Sequence, residues 1–522
     1  MSTLSEWNVE DPEFWASGGK RIANRNLWIS IPCLLLAFAV WLMWSIIIVQ
    51  METLGFQFDP DPGRNTALLY SLPAIAGLTG ATMRIPNSFL IAVGGGRNVV
   101  FTTTALLLIP TMGTGVALMN PDTSYLTFAL LAALSGFGGG NFASSMSNIS
   151  LFFPKRMQGL ALGLNAGIGN LGVSVMQVLI PFTMGFAVFG ALGGGGIPLP
   201  GASASLESAV VYIQNAGFTW VPLLVVFSAA AWFGMNNIQA VSPQAHRTFA
   251  AIGKILFLLG IGLGAAAVGL YLLLGLDVNM WIVLPVTIVL TVVLMKYLSP
   301  SELRANLSAQ YGIFSSKHCW IMTVIYTMTF GSFIGYSAAF PKLIQDVFGT
   351  LPDGSINPGA PNPFAYAWLG PLVGSVVRPV GGWLSDRVNS GARVTHWTTV
   401  TMIAAALGAA YFVVRADAAE SPETYFVPFL VLFLILFITT GIGNGSTFRS
   451  VPYIFEASKA GPVLGWTSAV AAYGAFIIPR VFGEQIAAGH AEYALYGFTV
   501  YYVICLGLNW YYYARKRAKV KC

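Results

Sequence analysis

The chain has 522 residues, of which 56% are hydrophobic and only 9% are charged, far from the roughly 25% charged residues of an average soluble domain. A mean hydropathy of +0.70 excludes a soluble enzyme with a single anchor and implies an all-α polytopic membrane protein. The net charge of +6 raises the question of nucleic acid, but the basic residues are spread among loops on one side, which is a topology signal and not a binding patch.

A hydrocarbon core about 30 Å thick needs roughly 20 apolar residues per helix. Residues 1–27 are polar, carry Lys20, Arg21 and Arg25 just before the first apolar run, and show no cleavable signal. Apolar runs follow near 28–50, 67–93, 99–119, 124–153, 160–189 and 217–236, giving an N-terminal six-helix half over 28–236. A connecting region, 237–319, holds two further runs near 255–275 and 280–298. The second set lies near 320–346, 364–388, 394–414, 424–455, 461–483 and 493–514, a C-terminal half over 320–514 before a basic tail, 515–522. The expectation is fourteen spans arranged six, two, six.

Lysine and arginine placement orients the chain. With the N-terminus inside, Arg97, Lys155, Arg156, Arg247, Lys254, Arg304, Lys317, Arg387, Arg393, Lys459 and the tail share the cytoplasmic side. The opposite loops are mostly acidic, with Glu52, Asp59, Asp122, Glu207, Asp353 and Glu423 among them. The stretch "GALGGGGIPLPGASASLES" in one outer loop is expected to be mobile. The four cysteines have no metal spacing, and no catalytic constellation or cofactor motif occurs, so no enzyme, metal or cofactor is expected.

The halves repeat, as halves of secondary transporters often do. The second span carries Gly80-Ala-Thr-Met-Arg84 and the second span of the C-terminal half carries Gly374-Ser-Val-Val-Arg378, with Pro86 and Pro379 close behind. The fourth spans carry "GGGNFASS" (138–145) and "GIGNGSTF" (441–448). At one span end, "GGGRN" (94–98) corresponds to "GGWLSDRVNSGAR" (381–393), which resembles the G-x-L-x-D-R loop of the major facilitator superfamily. In that resemblance Asp386 and Arg387 hold adjacent helix ends together.

An arginine at a helix centre costs about 2.5–3.5 kcal/mol on insertion scales, and Arg84 and Arg378 lie too deep to snorkel. No Asp or Glu falls in the core of any predicted span, so an internal salt bridge is not expected. The missing anion is then the substrate, the alternative being purely structural arginines satisfied by carbonyls and waters. A guanidinium is a flat fork of donors suited to planar oxyanions such as nitrate, nitrite or a carboxylate. Neutral polar groups on the fourth, fifth and C-terminal fourth spans complete the candidate site: Asn141, Ser144, Ser145, Asn165, Asn170, Asn444, Ser446 and Thr447. Tyr326 and Phe330, four apart on one helix face, and Phe142 are candidates to wall a flat anion.

The stretches "GGKRIANRNLWISIPCLLLAF", "GFGGGNFASSMSNISLFFPKRMQGLALGLNAGIGNLGVSVMQ" and "GIGNGSTFRSVPYIF" resemble the bacterial nitrate/nitrite porters of the NarK type. The resemblance implies a major facilitator fold, location in the bacterial inner membrane and transport of nitrate and nitrite. It implies binding by Arg84 and Arg378, an aromatic and polar set matching Phe142, Asn170, Tyr326 and Phe330, glycines matching Gly169 and Gly443, and a polar region matching Asn444 and Ser446. The well-known members have twelve spans. The two added here, about 255–298, are low in polar residues and are expected to form a peripheral scaffold. Function as a monomer is expected.

Proton coupling usually needs Asp, Glu or His in the pathway. All four histidines (His246, His318, His396, His490) fall in loops or at span ends, which favours nitrate/nitrite exchange over a proton-coupled importer. An anion channel and a membrane sensor are the alternatives from other classes, and formate or another small carboxylate fits the bare chemistry of the site.

Overall fold

The computed structural model describes residues 3–199, 210–299, 301, 304 and 311–522. Among them, twelve helices are long and apolar enough to cross a membrane. They are α1 (Pro12–Thr53), α2 (Pro62–Asn87), α3 (Gly96–Leu118), α4 (Tyr125–Phe152), α5 (Ala161–Met184), α6 (Asn215–Gly234), α7 (Thr248–Gly275), α8 (Met280–Leu298), α9 (Lys317–Phe348), α11 (Gly391–Asp417), α12 (Pro422–Ile454) and α14 (Ala491–Ala514).

The remaining two expected spans are helical but interrupted. Helix α10 runs Leu369–Val376 and then Arg378–Arg387. It breaks there because Pro379 has no N–H to continue the ladder. Helix α13 runs Ala457–Ala471 and then Gly474–Ala487.

Local chemistry sets the helix starts. Asp61 accepts from Arg64 N at 2.8 Å ahead of Pro62, a favourable N-cap followed by proline in the first turn. Ser124 and Ser390 cap α4 and α11 in the same way. The first helix begins at Pro12, well before the expected 28, because Asp11 caps it and its polar first turns pack on the protein. Trp15 is buried against Phe153 with ring centroids 5.8 Å apart. Before it, β1 (Thr3–Leu4) pairs in parallel with β4 (Asn237–Ile238).

The glycine-rich outer loop is tied at its base, where β2 (Ile197–Pro198) and β3 (Val210–Val211) pair antiparallel and Gln214 donates to the Gly193 and Gly195 carbonyls. Residues 200–209, with Glu207, lie outside the described residues, as do the side chains of Lys155 and Arg156.

The last turns of α1 and α9 meet where Lys342 bonds Glu52, so these helices run parallel. Both chain ends therefore lie at one end of the bundle, called the near end below, and the Glu52–Lys342 contact at the far end. The repeated glycines bring the arginine-bearing helices onto their neighbours. A Cβ on Gly139 would lie 2.6 Å from Gly80 Cα, and one on Gly441 would lie 2.3 Å from the Gly374 oxygen. Only glycine lets α2–α4 and α10–α12 approach this closely.

The hairpin α7–α8 is less peripheral than expected. Gly262 of α7 sits against Met83 and Pro86, the residues flanking Arg84 and Ile85 on α2, and Val292 of α8 helps line a cavity of about 380 Å³.

Candidate functional site

Arg84 is fully buried. Its Nε donates to the Gly139 carbonyl of α4 at 2.9 Å, and its Nη1 donates to the Ser468 carbonyl of α13 at 3.1 Å. Its Nη2 is buried without a partner. The guanidinium carbon stands 4.8 Å from the Phe142 ring centroid, 5.0 Å from that of Phe330 and 5.4 Å from that of Trp41.

Arg378 begins the second segment of α10. Its guanidinium carbon is 4.3 Å from the Phe333 ring centroid and 5.5 Å from that of Phe330, and both Nε and Nη2 are buried without partners. Phe330 therefore lies against both guanidinium groups, each a favourable cation–π arrangement.

The aromatic residues come together as the sequence suggested. Tyr326 and Phe330 stack at 5.8 Å with planes 17° apart, and Phe142 lies 6.4 Å from Phe330 at 26°. Phe330 sits in a π-helical turn, Thr327–Gly331, a local widening common at functional sites. Tyr326 lies within electrostatic reach of both arginines.

The neutral polar candidates divide. Asn141 Oδ1, Asn170 Oδ1 and Asn444 Nδ2 are buried without hydrogen-bond partners. Asn170 Nδ2 is committed to the Ala166 carbonyl at 2.6 Å. Asn165 donates to Ser145 at 2.8 Å, and Ser145 bonds Ser30 of α1 at 2.8 Å. Ser144 donates to Asn87 at 3.0 Å. Ser446 bonds Thr395 of α11 at 2.7 Å and donates to the Gly443 carbonyl, and Thr447 donates to the Gly443 and Asn444 carbonyls. Gly169 lies against Leu34 and Gly443 against Thr329. Asp386 pairs with Arg449 at 3.1 Å in an exposed contact, while Arg387 lies over the Trp383 ring.

Several residues in the site escaped sequence reasoning. Trp41 and Phe333 pack on the guanidinium groups, and Tyr473 of α13 bonds Thr82 of α2 at 2.8 Å, two residues from Arg84. The 380 Å³ cavity adjoins this level on the near-end side, with Ile85, Ser88, Phe142, Met146, Phe448 and Ser468 in its wall.

The far end is closed by charges at the ends of the expected spans. Lys342 of α9 is completely buried, bonded to Asp346 one turn on and to Glu52 of α1 at 2.9 Å. Asp346 is the last residue of the expected span 320–346 and Glu52 lies just past the expected span 28–50; α9 and α1 run on to Phe348 and Thr53, so both acids are helical and share Lys342. Nearby, Arg480 of α13 bonds Glu484 on its own helix at 2.6 Å and donates to Ser71 of α2 at 2.8 Å. In each case a cation of the C-terminal half keeps an i+4 carboxylate and reaches across to the N-terminal half.

A membrane-crossing helical bundle with two guanidinium groups from α2 and α10 against one aromatic ring, sealed at one end and hollow toward the other, defines a membrane transporter of the major facilitator fold. Solved structures agree on the fold. The chain superposes on a POT-family peptide transporter with a TM-score of 0.60 at 14% identity, covering 95% of this chain and 98% of that one. It superposes on the xylose transporter XylE from E. coli with a TM-score of 0.57 at 12% identity, covering 94% and 97%. No family model matches the sequence. Among curated relatives, the probable nitrate/nitrite antiporter NarK2 of Thermus thermophilus is 38% identical, covering 99% of this chain and 98% of that protein. The nitrate/nitrite transporter NarU of Escherichia coli is 34% identical, covering 99% and 97%. The chain belongs to this nitrate/nitrite transporter family.

Proposed function

We propose that the protein moves nitrate and nitrite across the bacterial inner membrane by alternating access, exchanging one for the other. The observation that carries this reading is the set of three buried guanidinium nitrogens, Arg84 Nη2 and Arg378 Nε and Nη2, that have no partner among the described residues while both cations press on Phe330. A planar oxyanion accepts from such forks in its own plane and lies flat against an aromatic face. Asn141, Asn170, Asn444 and Tyr326 are the polar groups we assign beside it, with Asn165 and Ser446 supporting the helices that carry them. Gly169 and Gly443 serve as close-packing points of the moving helices, and Asp386 and Arg387 as near-end contacts.

Exchange follows from electrostatics. Opposite unit charges 4 Å apart attract by about 4 kcal/mol at an effective dielectric near 20. Burying two cations without an anion costs several kcal/mol per ion, so the loaded carrier reorients and the empty one does so poorly. We assign the near end to the cytoplasm, and we assign α10 and α13 as crossings despite their breaks, making fourteen. The working unit in this reading is the monomer.

One observation favours proton-coupled import as the second reading. Glu52 and Asp346 share the single cation Lys342, which leaves one carboxylate charge in excess at the far end.

The binding reading is tested by thermal unfolding of the purified protein. Nitrate and nitrite raise the melting temperature of the wild type, as any ligand bound only to the native state must. They leave Arg84→Gln and Arg378→Gln unmoved. An equal response in either variant, or a stronger response to formate, sinks the assignment.

A further inference from the structure

Away from the transport path, α11 begins and α14 ends side by side at the near end. Asn509 donates to the Ala392 carbonyl at 2.8 Å. The tail beyond α14 turns back on this corner, where the Cys522 carbonyl accepts from Ser390 Oγ at 2.7 Å and from Ala392 N at 3.4 Å. Ala518 and Cys522 are buried. The tail is thus seated, and it holds Arg515 and Lys516 opposite the first turns of α11.

Between them lies an open groove of about 510 Å³, lined by Arg393, His396, Trp397, Trp510, Arg515 and Lys516. No Asp or Glu is among the described residues that line it. Among the described residues, none of Arg393, Arg515 and Lys516 forms a salt bridge. Arg515 Nε and His396 Nδ1 are buried without hydrogen-bond partners. The Arg515 guanidinium lies 4.1 Å from the Tyr511 ring centroid, which fixes its position. Trp397 and Trp510 are 69% and 51% exposed.

We propose that this groove is a binding site for the headgroup of an anionic phospholipid. The two tryptophans stand at the ends of membrane-crossing helices, on the surface that faces lipid, where indole rings mark the headgroup level. Juxtamembrane lysine and arginine attract anionic headgroups, and arginine adds bidentate recognition of a phosphate. A phosphodiester between Arg393 and Arg515 satisfies the unpaired donor, and its acyl chains run down the exposed indole faces. A zwitterionic headgroup brings its own cation into a groove that already holds three. A lipid whose headgroup is purely anionic is therefore preferred, and the proposal stands independently of which ion is transported.

The test uses the full chain, delipidated and offered an equimolar mixture of phosphatidylcholine and phosphatidylglycerol, with bound lipid counted by native mass spectrometry. Wild type retains phosphatidylglycerol selectively. Each cation neutralised lowers retention about fivefold, so the combined variant R393Q/R515Q/K516Q loses selectivity. The charge-preserving variant R393K/R515K/K516R retains it, which separates charge from folding. Because other tryptophans are also exposed, among them Trp28, Trp281 and Trp383, the informative signal is the part of the quenching by brominated phosphatidylglycerol that W397F/W510F loses, and that part places the lipid in the groove. Equal retention of both lipids by wild type, or undiminished selectivity in the neutralised variant, overturns the proposal. Displacement of the lipid by millimolar inorganic phosphate would identify a free-phosphate site instead and overturn it equally.

Discussion

Replacing Glu52 by Gln weakens the far-end closure, and the geometry gives both the sign and the size of the effect. In the closed arrangement Lys342 bonds Asp346 on its own helix and Glu52 across the interface at 2.9 Å. Opening the far end separates α9 from α1, so only the Glu52 contact is lost; Asp346, one turn away, moves with Lys342. Lys342 is wholly buried but the Glu52 side chain is 30% exposed, so the contact lies between a surface pair, worth about 0–1 kcal/mol, and a buried one, whose disruption costs about 3–5 kcal/mol. About 1–2 kcal/mol is the reasonable share, which moves the open-to-closed ratio roughly fivefold to thirtyfold toward open. Asp346→Asn has the opposite sign. Opening would then strand a buried lysine with no partner, at about 3–5 kcal/mol, and the far end stays shut. Spin labels at Gln57 and Ser355, exposed positions in far-end loops of the two halves, report the separation by pulsed dipolar spectroscopy. E52Q gains a long-distance population and D346N loses any that the wild type shows. An unchanged distribution in E52Q, or a shift of both variants in the same direction, refutes the latch.

The site itself yields further expectations. Arg84→Lys and Arg378→Lys each cut nitrate uptake by at least about tenfold, because one ammonium replaces a fork; in Arg84→Lys the Gly139 and Ser468 carbonyls also lose their donors. Reconstituted uptake checks this, and near-normal transport in either variant contradicts it. Phe330→Leu keeps the bulk but removes the ring facing both guanidinium groups, weakening apparent nitrate affinity about tenfold by loss of two cation–π contacts of about 0.5–1 kcal/mol each, measured as a shift in half-saturation. Gly139→Val and Gly441→Val drive a side chain into the neighbouring helix backbone and sharply lower the melting temperature. Gly264→Ala, with open space around its Cβ position, leaves it unchanged.

Much of this was legible in the sequence because the membrane makes polar residues conspicuous. Arg84 and Arg378 stood out by depth and by repeat, and the four-residue spacing of Tyr326 and Phe330 placed their rings on one face. The carbonyls of Gly139 and Ser468 that accept from Arg84 were not legible, since every residue carries a carbonyl and only tertiary packing aims one. Trp41 and Phe333 were hidden among many apolar aromatics. The Lys342–Asp346 pair had a signal, an i,i+4 pair of opposite charges, but it stands in the last turn of the expected span 320–346, where a charge reads as a span end and not as part of the core. The early start of α1 at Pro12 was masked in the same way, although Asp11-Pro12 is a legible helix start. The breaks in α10 and α13 depend on local backbone geometry, of which only Pro379 gave notice. The hairpin's low polarity suggested the periphery, yet Gly262 seats it on the arginine-bearing helix.

The central claim is that an anion between Arg84 and Arg378 is needed for the carrier to reorient. The most direct measurement is nitrate uptake into sealed vesicles containing the purified protein, preloaded with nitrite or with no transported anion, with and without an imposed proton gradient. Exchange predicts rapid uptake only into nitrite-loaded vesicles, indifferent to the gradient. Uptake into empty vesicles that appears only when protons drive it would contradict the claim and turn attention to the Glu52–Lys342–Asp346 cluster.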